Sequence, residues 1–297
     1  MSLENLNKML KDAEDNNYAV PQFNVWNLEW ISAVLDKCQE LKTPVILGVS
    51  QNGAKYMGGF YVVTQMIKAY IKKNNITIPV AIHLDHASSF EACKEAIDEG
   101  FTSVMIDASR KPFEENLDIT KKVVEYAHPR NVTVEAELGH IFSSDKGLGD
   151  TEEIETADSF SNLDDVYTSP DMAKDFVEKT GVDVLAIAFG TSHGIYTQKP
   201  VLDLNRITEI KNKIDIPFVM HGGSGLSKEE FQTAVKNGIR KINYYTYMTL
   251  PGGKAVKAAL DKKSVEENIF YHDIPLIAMK AMKENVKVAI ETFALKN

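Results

Sequence analysis

The sequence predicts an α/β fold of the (β/α)8 barrel type, and two observations carry this prediction. Eight short apolar or β-branched runs alternate with longer stretches of helical periodicity. No linker rich in proline, serine or glycine divides the 297 residues, whose 44% hydrophobic and 25% charged composition is typical of a globular protein. This pattern fits a TIM barrel better than an open doubly wound sheet, which normally has fewer strands. We expect one domain over residues 1–297, with a C-terminal helical extension from about residue 270.

The predicted strands are short, and turn residues or helix-starting sequences separate them. In chain order they cover Ala19–Phe23, Pro44–Val49, Pro79–Leu84, Ser103–Ile106, Val132–Glu135, Val184–Ala188, Pro217–Met220 and Lys241–Asn243. Three of the intervening segments begin with helix-start chemistry, either a serine with glutamate three residues later or a serine followed by proline. These starts are Ser88 with Glu91, Ser169 with Pro170, and Ser227 with Glu230.

Composition and charge narrow the classes of function. The formal net charge of −9 argues against a nucleic-acid-binding protein, which normally carries a basic patch that neutralises phosphates. Cys38 and Cys93 both fall in helix-like stretches, so we expect free thiols in a reducing compartment. We find neither a signal-peptide pattern nor an apolar stretch of about 20 residues, and we therefore expect a cytoplasmic protein that does not cross a membrane.

Polar residues stand at the carboxyl ends of most predicted strands. They are Asp85 and His86 after the third strand, Asp107 after the fourth, Glu137 after the fifth, His193 after the sixth, His221 after the seventh and Asn243 at the end of the eighth. A parallel barrel builds its active site at these ends. We therefore expect residues that are far apart in the sequence to converge around one mouth.

Histidines and glycines at these ends indicate a metal site and an anion-binding site. Three imidazoles at one mouth suit a catalytic metal ion that keeps an open coordination position. FGTSHG at 189–194 and HGGSG at 221–225 contain small residues whose backbone amides can approach an anion closely. Barrels often bind phosphate in the loops after strands seven and eight, so we expect a phosphate there. His83 shares a strand face with Asp85, and we expect it behind the site.

Seven segments, taken in order, carry a family resemblance. They are FNV at 23–25, HLDH at 83–86, GFTSVMIDAS at 100–109, VEAELG at 134–139, GTSHG at 190–194, HGGSG at 221–225 and KIN at 241–243. With them, nearly the whole chain resembles the class II, zinc-dependent ketose-bisphosphate aldolases of the fructose- and tagatose-bisphosphate type. The resemblance implies Zn²⁺ or another divalent metal, leaves room for a monovalent cation, and implies a homodimer or homotetramer that acts on a phosphorylated ketose.

The resemblance also implies a role for individual residues. The metal ligands match His86, His193 and His221, and the acid/base residue matches Asp85. Positions that hold the substrate and the phosphate of dihydroxyacetone phosphate match Asn24, Gly194, Gly222, Gly223, Ser224, Asn243 and Thr246. Carboxylates near the metal, where an alternative or second cation can sit, match Asp107 and Glu137.

The implied chemistry explains why these residue types occur. Breaking the C3–C4 bond of a ketose leaves negative charge that passes to the C2 oxygen, where zinc accepts it as a Lewis acid. Asp85 would remove the C4 hydroxyl proton during cleavage and return it to the aldehyde during condensation. A Schiff-base aldolase would need a lysine inside the barrel. We expect Lys241 to begin its strand and therefore to face the wrong end of the barrel, away from the predicted site. We expect Lys111 to be a surface residue.

Three stretches depart from the family pattern. The loop glutamate that exchanges the C3 proton of dihydroxyacetone phosphate has candidates in Glu152 and Glu153, with a solvated acidic loop as the alternative. Tyr244 and Tyr245 replace small or acidic residues and would narrow the distal space, unless one packs behind the loop. Met279 stands where the family has an arginine that pairs with the distal phosphate, so we expect weaker recognition of that phosphate.

Two other functions stay open at this point. A metal-dependent sugar-phosphate isomerase or epimerase would use the same enediolate chemistry without releasing two fragments. A non-catalytic barrel that binds sugar phosphates is disfavoured, because Asp85 and all three ligand positions are present.

Overall fold

Eight parallel strands close into a barrel in the computed structural model, which describes residues 2–143, 166–196, 199–264 and 266–295. The barrel strands are β1 Val20–Asn24, β2 Val45–Ser50, β3 Val80–Ala87, β4 Ser103–Ile106, β5 Thr133–Leu138, β6 Val184–Ile187, β7 Phe218–Met220 and β8 Ile239–Asn243. Each strand pairs with its neighbours in sequence, and β1 closes the ring against β8. The predicted (β/α)8 barrel is confirmed, although β3 and β5 run further than predicted.

One helix precedes the first strand, and the others follow the strands around the outside of the barrel. They are α1 Leu6–Asn16, α2 Leu28–Glu40, α3 Gln51–Tyr56, α4 Phe60–Lys73, α5 Phe90–Asp98, α6 Phe113–Ala127, α7 Pro170–Thr180, α8 Leu204–Lys211, α9 Lys228–Asn237, α10 Thr246–Leu260 and α11 Asp273–Phe293. A short 3-10 helix covers His128–Arg130, and two short strands, Phe142–Ser143 and Ser192–His193, pair with each other outside the barrel. Helix α11 packs against α2 and α10.

One end of the barrel is closed by the first helix. The apolar face of α1 packs onto residues near the amino ends of the strands, including Val20, Ile46 and Ala81. A second and larger core lies between the strands and the surrounding helices. Since α1 covers the amino ends of the strands, their carboxyl ends form the open mouth, where barrels build active sites.

One predicted helix start is wrong by one residue. The N-cap of α5 is Ser89, whose extended backbone lets its hydroxyl accept a hydrogen bond from Ala92 N at 3.2 Å. The predicted cap, Ser88, instead donates from its backbone N and its hydroxyl to Gln51 Oε1, both at 2.9 Å. The capping box predicted at Ser227–Glu230 is confirmed.

Both cysteines are free, as predicted, and both are buried. Across the described ranges, we find no helix with the length and apolar character needed to cross a membrane.

Candidate active site

A bulge in β3 brings two adjacent side chains into the mouth of the barrel. In a regular strand, Asp85 and His86 would point to opposite faces. The register of β3 against β4 shifts between Leu84 and Ala87, and His86 has a left-handed φ of 51°. This conformation is costly for a residue other than glycine and is typical of functional sites. The bulge therefore turns the His86 ring to the same end of the barrel as Asp85.

Three imidazole rings meet at this mouth. One ring nitrogen from each of His86, His193 and His221 lies within 4.8 Å of the other two. The ring centroids are 4.7 Å apart for His86 and His221, and 5.1 Å apart for His86 and His193. Asp107 Oδ2 lies 2.8 Å from His86 Nδ1, so the Nε2 atom of that ring faces inward, 2.9 Å from His221 Nδ1. The structure therefore brings the three predicted ligands together.

The protonation of the three rings differs. Burial lowers the pKa of His193 to about 3 and also lowers the pKa of His221, so both rings are neutral, the form that binds a metal ion. Burial also disfavours the charged form of His86, but the carboxylates of Asp85 and Asp107 outweigh it and raise the pKa of His86 to about 10. A metal ion would therefore displace a proton from His86.

Two carboxylates lie beside the imidazoles. Ligand atoms of Asp107, Glu137 and His86 also lie within 4.8 Å of one another. Burial and the charge of Asp107 raise the pKa of Glu137 well above its usual range. Within the described residues, the buried Oε2 atom of Glu137 has no hydrogen-bond partner, and it lies 3.9 Å from His221 Nδ1. A buried carboxylate oxygen in this condition suits a cation or a proton.

Lys241 lies inside the barrel, and the prediction that it begins its strand and faces the wrong end is wrong. Because β8 begins at Ile239, Lys241 is the middle residue of the strand, and its side chain is fully buried. Its Nζ lies 2.7 Å from Glu135 Oε2 and donates to Asn243 Oδ1 at 2.7 Å. Glu135 in turn lies 2.8 Å from His221 Nε2, through Oε1. The lysine is therefore paired with the carboxylate that holds His221, an arrangement unlike that of a Schiff-base lysine.

The carboxylate of Asp85 accepts hydrogen bonds from three side-chain amides. Asn24 Nδ2 donates to Oδ2 at 2.7 Å, while Gln22 Nε2 at 3.0 Å and Asn243 Nδ2 at 3.2 Å donate to Oδ1. Burial raises the pKa of Asp85, but the positive charge of His86 outweighs it and holds that pKa below its usual range. Asn24 and Asn243, predicted to contact the substrate, therefore both lie against the predicted acid/base residue.

The two glycine-rich loops lie against each other above β6 and β7. Gly222 has a φ of 63°, and a Cβ there would come within 2.6 Å of the Ser192 backbone, so this approach requires glycine. The Tyr196 hydroxyl joins the loops by accepting from Ser192 N at 3.1 Å and donating to Gly222 O at 2.6 Å. The predicted phosphate positions in these loops and the next are Gly194, Gly222, Gly223, Ser224, Asn243 at the end of β8, and Thr246 at the start of α10.

Comparison with known proteins identifies the family. The chain matches the family model of class-II fructose-bisphosphate aldolase over residues 4–297. It is 47% identical over 298 residues to the fructose-bisphosphate aldolase of Staphylococcus epidermidis, covering 100% of this chain and 99% of that protein. It is 48% identical over 262 residues to the fructose-bisphosphate aldolase of Geobacillus stearothermophilus, covering 88% and 87%. The crystal structure of the YdjI aldolase of Escherichia coli K12 has a TM-score of 0.82 at 33% identity, covering 98% of this chain and 97% of that one.

The chain belongs to the class II fructose-bisphosphate aldolase family. It is therefore a class II aldolase, a carbon–carbon lyase, and the family resemblance of the seven sequence segments is confirmed. The isomerase, epimerase and binding-only alternatives are not favoured by these matches. The metal dependence of this family agrees with the group of ligand atoms at the mouth.

The two tyrosines of this aldolase that depart from the family pattern have different surroundings. Tyr244 is buried, and its ring centroid lies 6.2 Å from that of Phe23 and 5.8 Å from that of Phe293. Tyr245 is 37% exposed, and its ring lies 5.8 Å from that of Trp30 at the start of α2. Tyr244 therefore packs behind the loop, which was the alternative reading, whereas Tyr245 lies at the surface.

Two other departures concern the ends of the substrate. Met279 lies in α11, partly buried against the core, with its Sδ atom 3.6 Å from Ser32 Oγ. This residue therefore packs against its own chain and supplies no charge to a phosphate. Glu152 and Glu153, the candidates for the loop glutamate, lie outside the described residues.

The sequence interpretation missed three residues that organise this site. Gln22 and Glu135 each precede a predicted site residue, Asn24 and Glu137, by two positions, so strand alternation puts both on the interior face. A polar side chain on an interior face was the signal that could have identified them. We find no comparable sequence signal for Tyr196.

Proposed function

We propose that this aldolase reversibly cleaves a phosphorylated ketose of the fructose or tagatose 1,6-bisphosphate kind into dihydroxyacetone phosphate and an aldehyde, with residues 1–297 acting as one domain. The observation that carries the proposal is the buried Asp85 carboxylate beside three imidazoles at the open end of the barrel. The fructose-bisphosphate aldolase activity by which the relatives from Staphylococcus epidermidis and Geobacillus stearothermophilus are named supports it.

The donor set at the mouth fits a divalent metal ion, which we assign to His86, His193 and His221. Three imidazole nitrogens with an open fourth position are the usual ligands of catalytic Zn²⁺, and cobalt or manganese also suits them. When bound, the ion would supply Lewis-acid polarisation of the C2 carbonyl oxygen. Asp107 and Glu137 offer the place for an alternative or second cation. A monovalent cation stays a prediction.

Asp85 carries the proton in this proposal. The ionised carboxylate accepts the proton of the C4 hydroxyl as the C3–C4 bond breaks. The C4 oxygen then becomes the aldehyde carbonyl, and the electron pair of the broken bond stays with the dihydroxyacetone phosphate half. To complete cleavage, C3 of the dihydroxyacetone phosphate half takes up a proton and Asp85 gives up the one it accepted, so the residue is again ionised. In the condensation direction C3 loses a proton, and the protonated Asp85 carboxyl returns its own proton to the C4 oxygen.

The phosphate of the dihydroxyacetone half is assigned to the loops after β6, β7 and β8. Gly194, Gly222 and Gly223 leave room for an anion to approach the backbone amides, and Ser224 is buried nearby in sequence. Thr246 begins the 15-residue helix α10, whose amino end carries a partial positive charge that favours phosphate.

We further propose that the protein is a cytoplasmic homodimer or homotetramer that uses neither nucleic acid nor membrane. Support comes from exposed apolar side chains before and at the start of α11, where Ile269, Phe270, Tyr271 and Leu276 are 47–83% exposed. An exposed apolar surface of this kind is typical of protein–protein contacts. The free, buried cysteines fit a reducing compartment.

A substrate screen tests the proposed function. Fructose and tagatose 1,6-bisphosphates and fructose 1-phosphate are supplied in turn, and release of dihydroxyacetone phosphate is followed by a coupled reduction. We expect release from at least one of them, and release from none would contradict the proposal. The same kcat/KM values test the prediction that the distal phosphate is recognised weakly. A kcat/KM about 100-fold higher for either bisphosphate than for fructose 1-phosphate would overturn that prediction. This ratio corresponds to about 2.7 kcal/mol.

A further inference from the structure

Gln22 is a buried donor to Asp85 for which no role was predicted. It lies on β1, fully buried, and its Nε2 atom donates to Asp85 Oδ1 at 3.0 Å. The same nitrogen also donates to Asn24 Oδ1 at 3.1 Å. Both hydrogens of the amide are therefore directed at oxygen acceptors, which fixes the orientation of the Gln22 amide.

This arrangement also fixes the orientation of a second amide. Because the oxygen of Asn24 accepts from Gln22, the Nδ2 atom of Asn24 faces Asp85 and donates to Oδ2 at 2.7 Å. Gln22 therefore acts on both oxygens of the Asp85 carboxylate, on one directly and on the other through Asn24.

The space for the Gln22 side chain comes from a glycine on the neighbouring strand. Gly48 of β2 pairs with Asn24 in the barrel register. A Cβ at Gly48 would lie 2.6 Å from Gln22 Nε2 and 2.3 Å from Asn24 Oδ1. Any larger residue at this position would push both amides away from where they contact Asp85.

We propose that Gln22 is a positioning residue that holds the Asp85 carboxylate, directly and through Asn24, in the orientation that takes the proton from the C4 hydroxyl of the ketose. The inference rests on the proposed function, in which Asp85 carries that proton. The terminal torsion of an aspartate side chain is broad, so its carboxylate rotates readily unless donors hold it. A neutral amide restricts this rotation without adding a charge beside the metal ligands.

The variant Gln22→Met removes both donors and keeps an unbranched side chain of similar length. We expect kcat for ketose cleavage to fall about ten- to a hundredfold, the loss expected for a hydrogen bond to a charged group, with KM changed by less than about twofold. Exchange of the C3 hydrogen of dihydroxyacetone phosphate with solvent deuterium should stay within about twofold of wild type, since this step does not use Asp85. A general structural loss would lower both rates.

The variant Gly48→Ala tests the same contacts without removing any of them. The atoms nearest to its Cβ belong to the ends of the Gln22 and Asn24 side chains, so these side chains are the first to be displaced, and the same selective loss of cleavage is expected. The matched control is Gly253→Ala, whose Cβ meets nothing within 4 Å, and both rates should be unchanged.

Two results would overturn the inference. One is unchanged cleavage in Gln22→Met and Gly48→Ala while the wild-type enzyme is active, and the other is an equal fall of cleavage and exchange. If the wild-type protein released dihydroxyacetone phosphate from no ketose, the proposed function would fail and the inference would fail with it.

Discussion

Replacing Lys241 by methionine should destabilise the barrel strongly, because the change leaves Glu135 buried without its counter-ion. Both side chains are 0% exposed, and Lys241 Nζ lies 2.7 Å from Glu135 Oε2. Methionine fills most of the volume of the lysine stem but carries no charge. Removing one partner of a buried pair costs about 3–5 kcal/mol, so the free energy of unfolding should fall by about that amount. Urea denaturation with EDTA present measures this change without a contribution from bound metal.

The matched control is the same substitution in a partly exposed pair. Lys283 Nζ also lies 2.7 Å from Asp36 Oδ2, but these side chains are 27% and 38% exposed. Water screens such a pair, so Lys283→Met should cost only about 0–1 kcal/mol. Adding Glu135→Gln to Lys241→Met should recover part of the loss, because the double variant no longer contains the unpaired carboxylate of Glu135. A loss for Lys241→Met no larger than that for Lys283→Met would refute this reasoning.

Three further outcomes are expected at the mouth of the barrel. Asp85→Ala should keep its metal and bind dihydroxyacetone phosphate, while cleavage slows by at least ~10²-fold, as expected for loss of a general acid/base. If metal analysis finds no metal in this variant, Asp85 is a ligand and the assigned role is wrong. Zinc binding near neutral pH should release about one proton, because His86, with a pKa of about 10, is protonated in the metal-free protein. Calorimetry in buffers of different ionisation enthalpy measures this release, and binding without it would contradict the charge assigned to His86. Gly222→Ala should raise KM and lower Tm, because its Cβ would lie 2.6 Å from the Ser192 backbone. Unchanged KM and Tm would show that the two loops do not need this close contact.

The barrel could be predicted because each strand is a short apolar run between helix-like stretches. The start of β8 could not, because Arg240 carries a charge within the strand. In the structure, Arg240 Nε lies 2.6 Å from Glu14 Oε2 of α1, and Arg240 is only 5% exposed. A charged side chain can be buried when a residue on another element pairs with it, and the sequence alone does not show that such a partner exists. Because the predicted strand begins at Lys241 rather than at Ile239, Lys241 was expected at the end of the barrel away from the site.

The convergence of the site residues could also be predicted, because parallel strands bring their carboxyl ends together. The β3 bulge could not, since alternation along a strand assumes a regular register, and the left-handed backbone of His86 breaks it. The contacts of Gln22 and Glu135 depend on which interior side chains meet across the barrel. Strand pairing and register decide this, and a single sequence contains neither.

Metal removal and reloading tests the central claim, that three histidines hold a metal ion needed for cleavage, most directly. Dihydroxyacetone phosphate release is measured for the protein as purified, after exhaustive chelation with metal analysis, and after zinc or cobalt is restored. The account predicts loss of cleavage on chelation and recovery on reloading in the wild-type protein, with neither metal content nor activity recovered in His193→Ala. Full activity in a sample verified to be metal-free would contradict it.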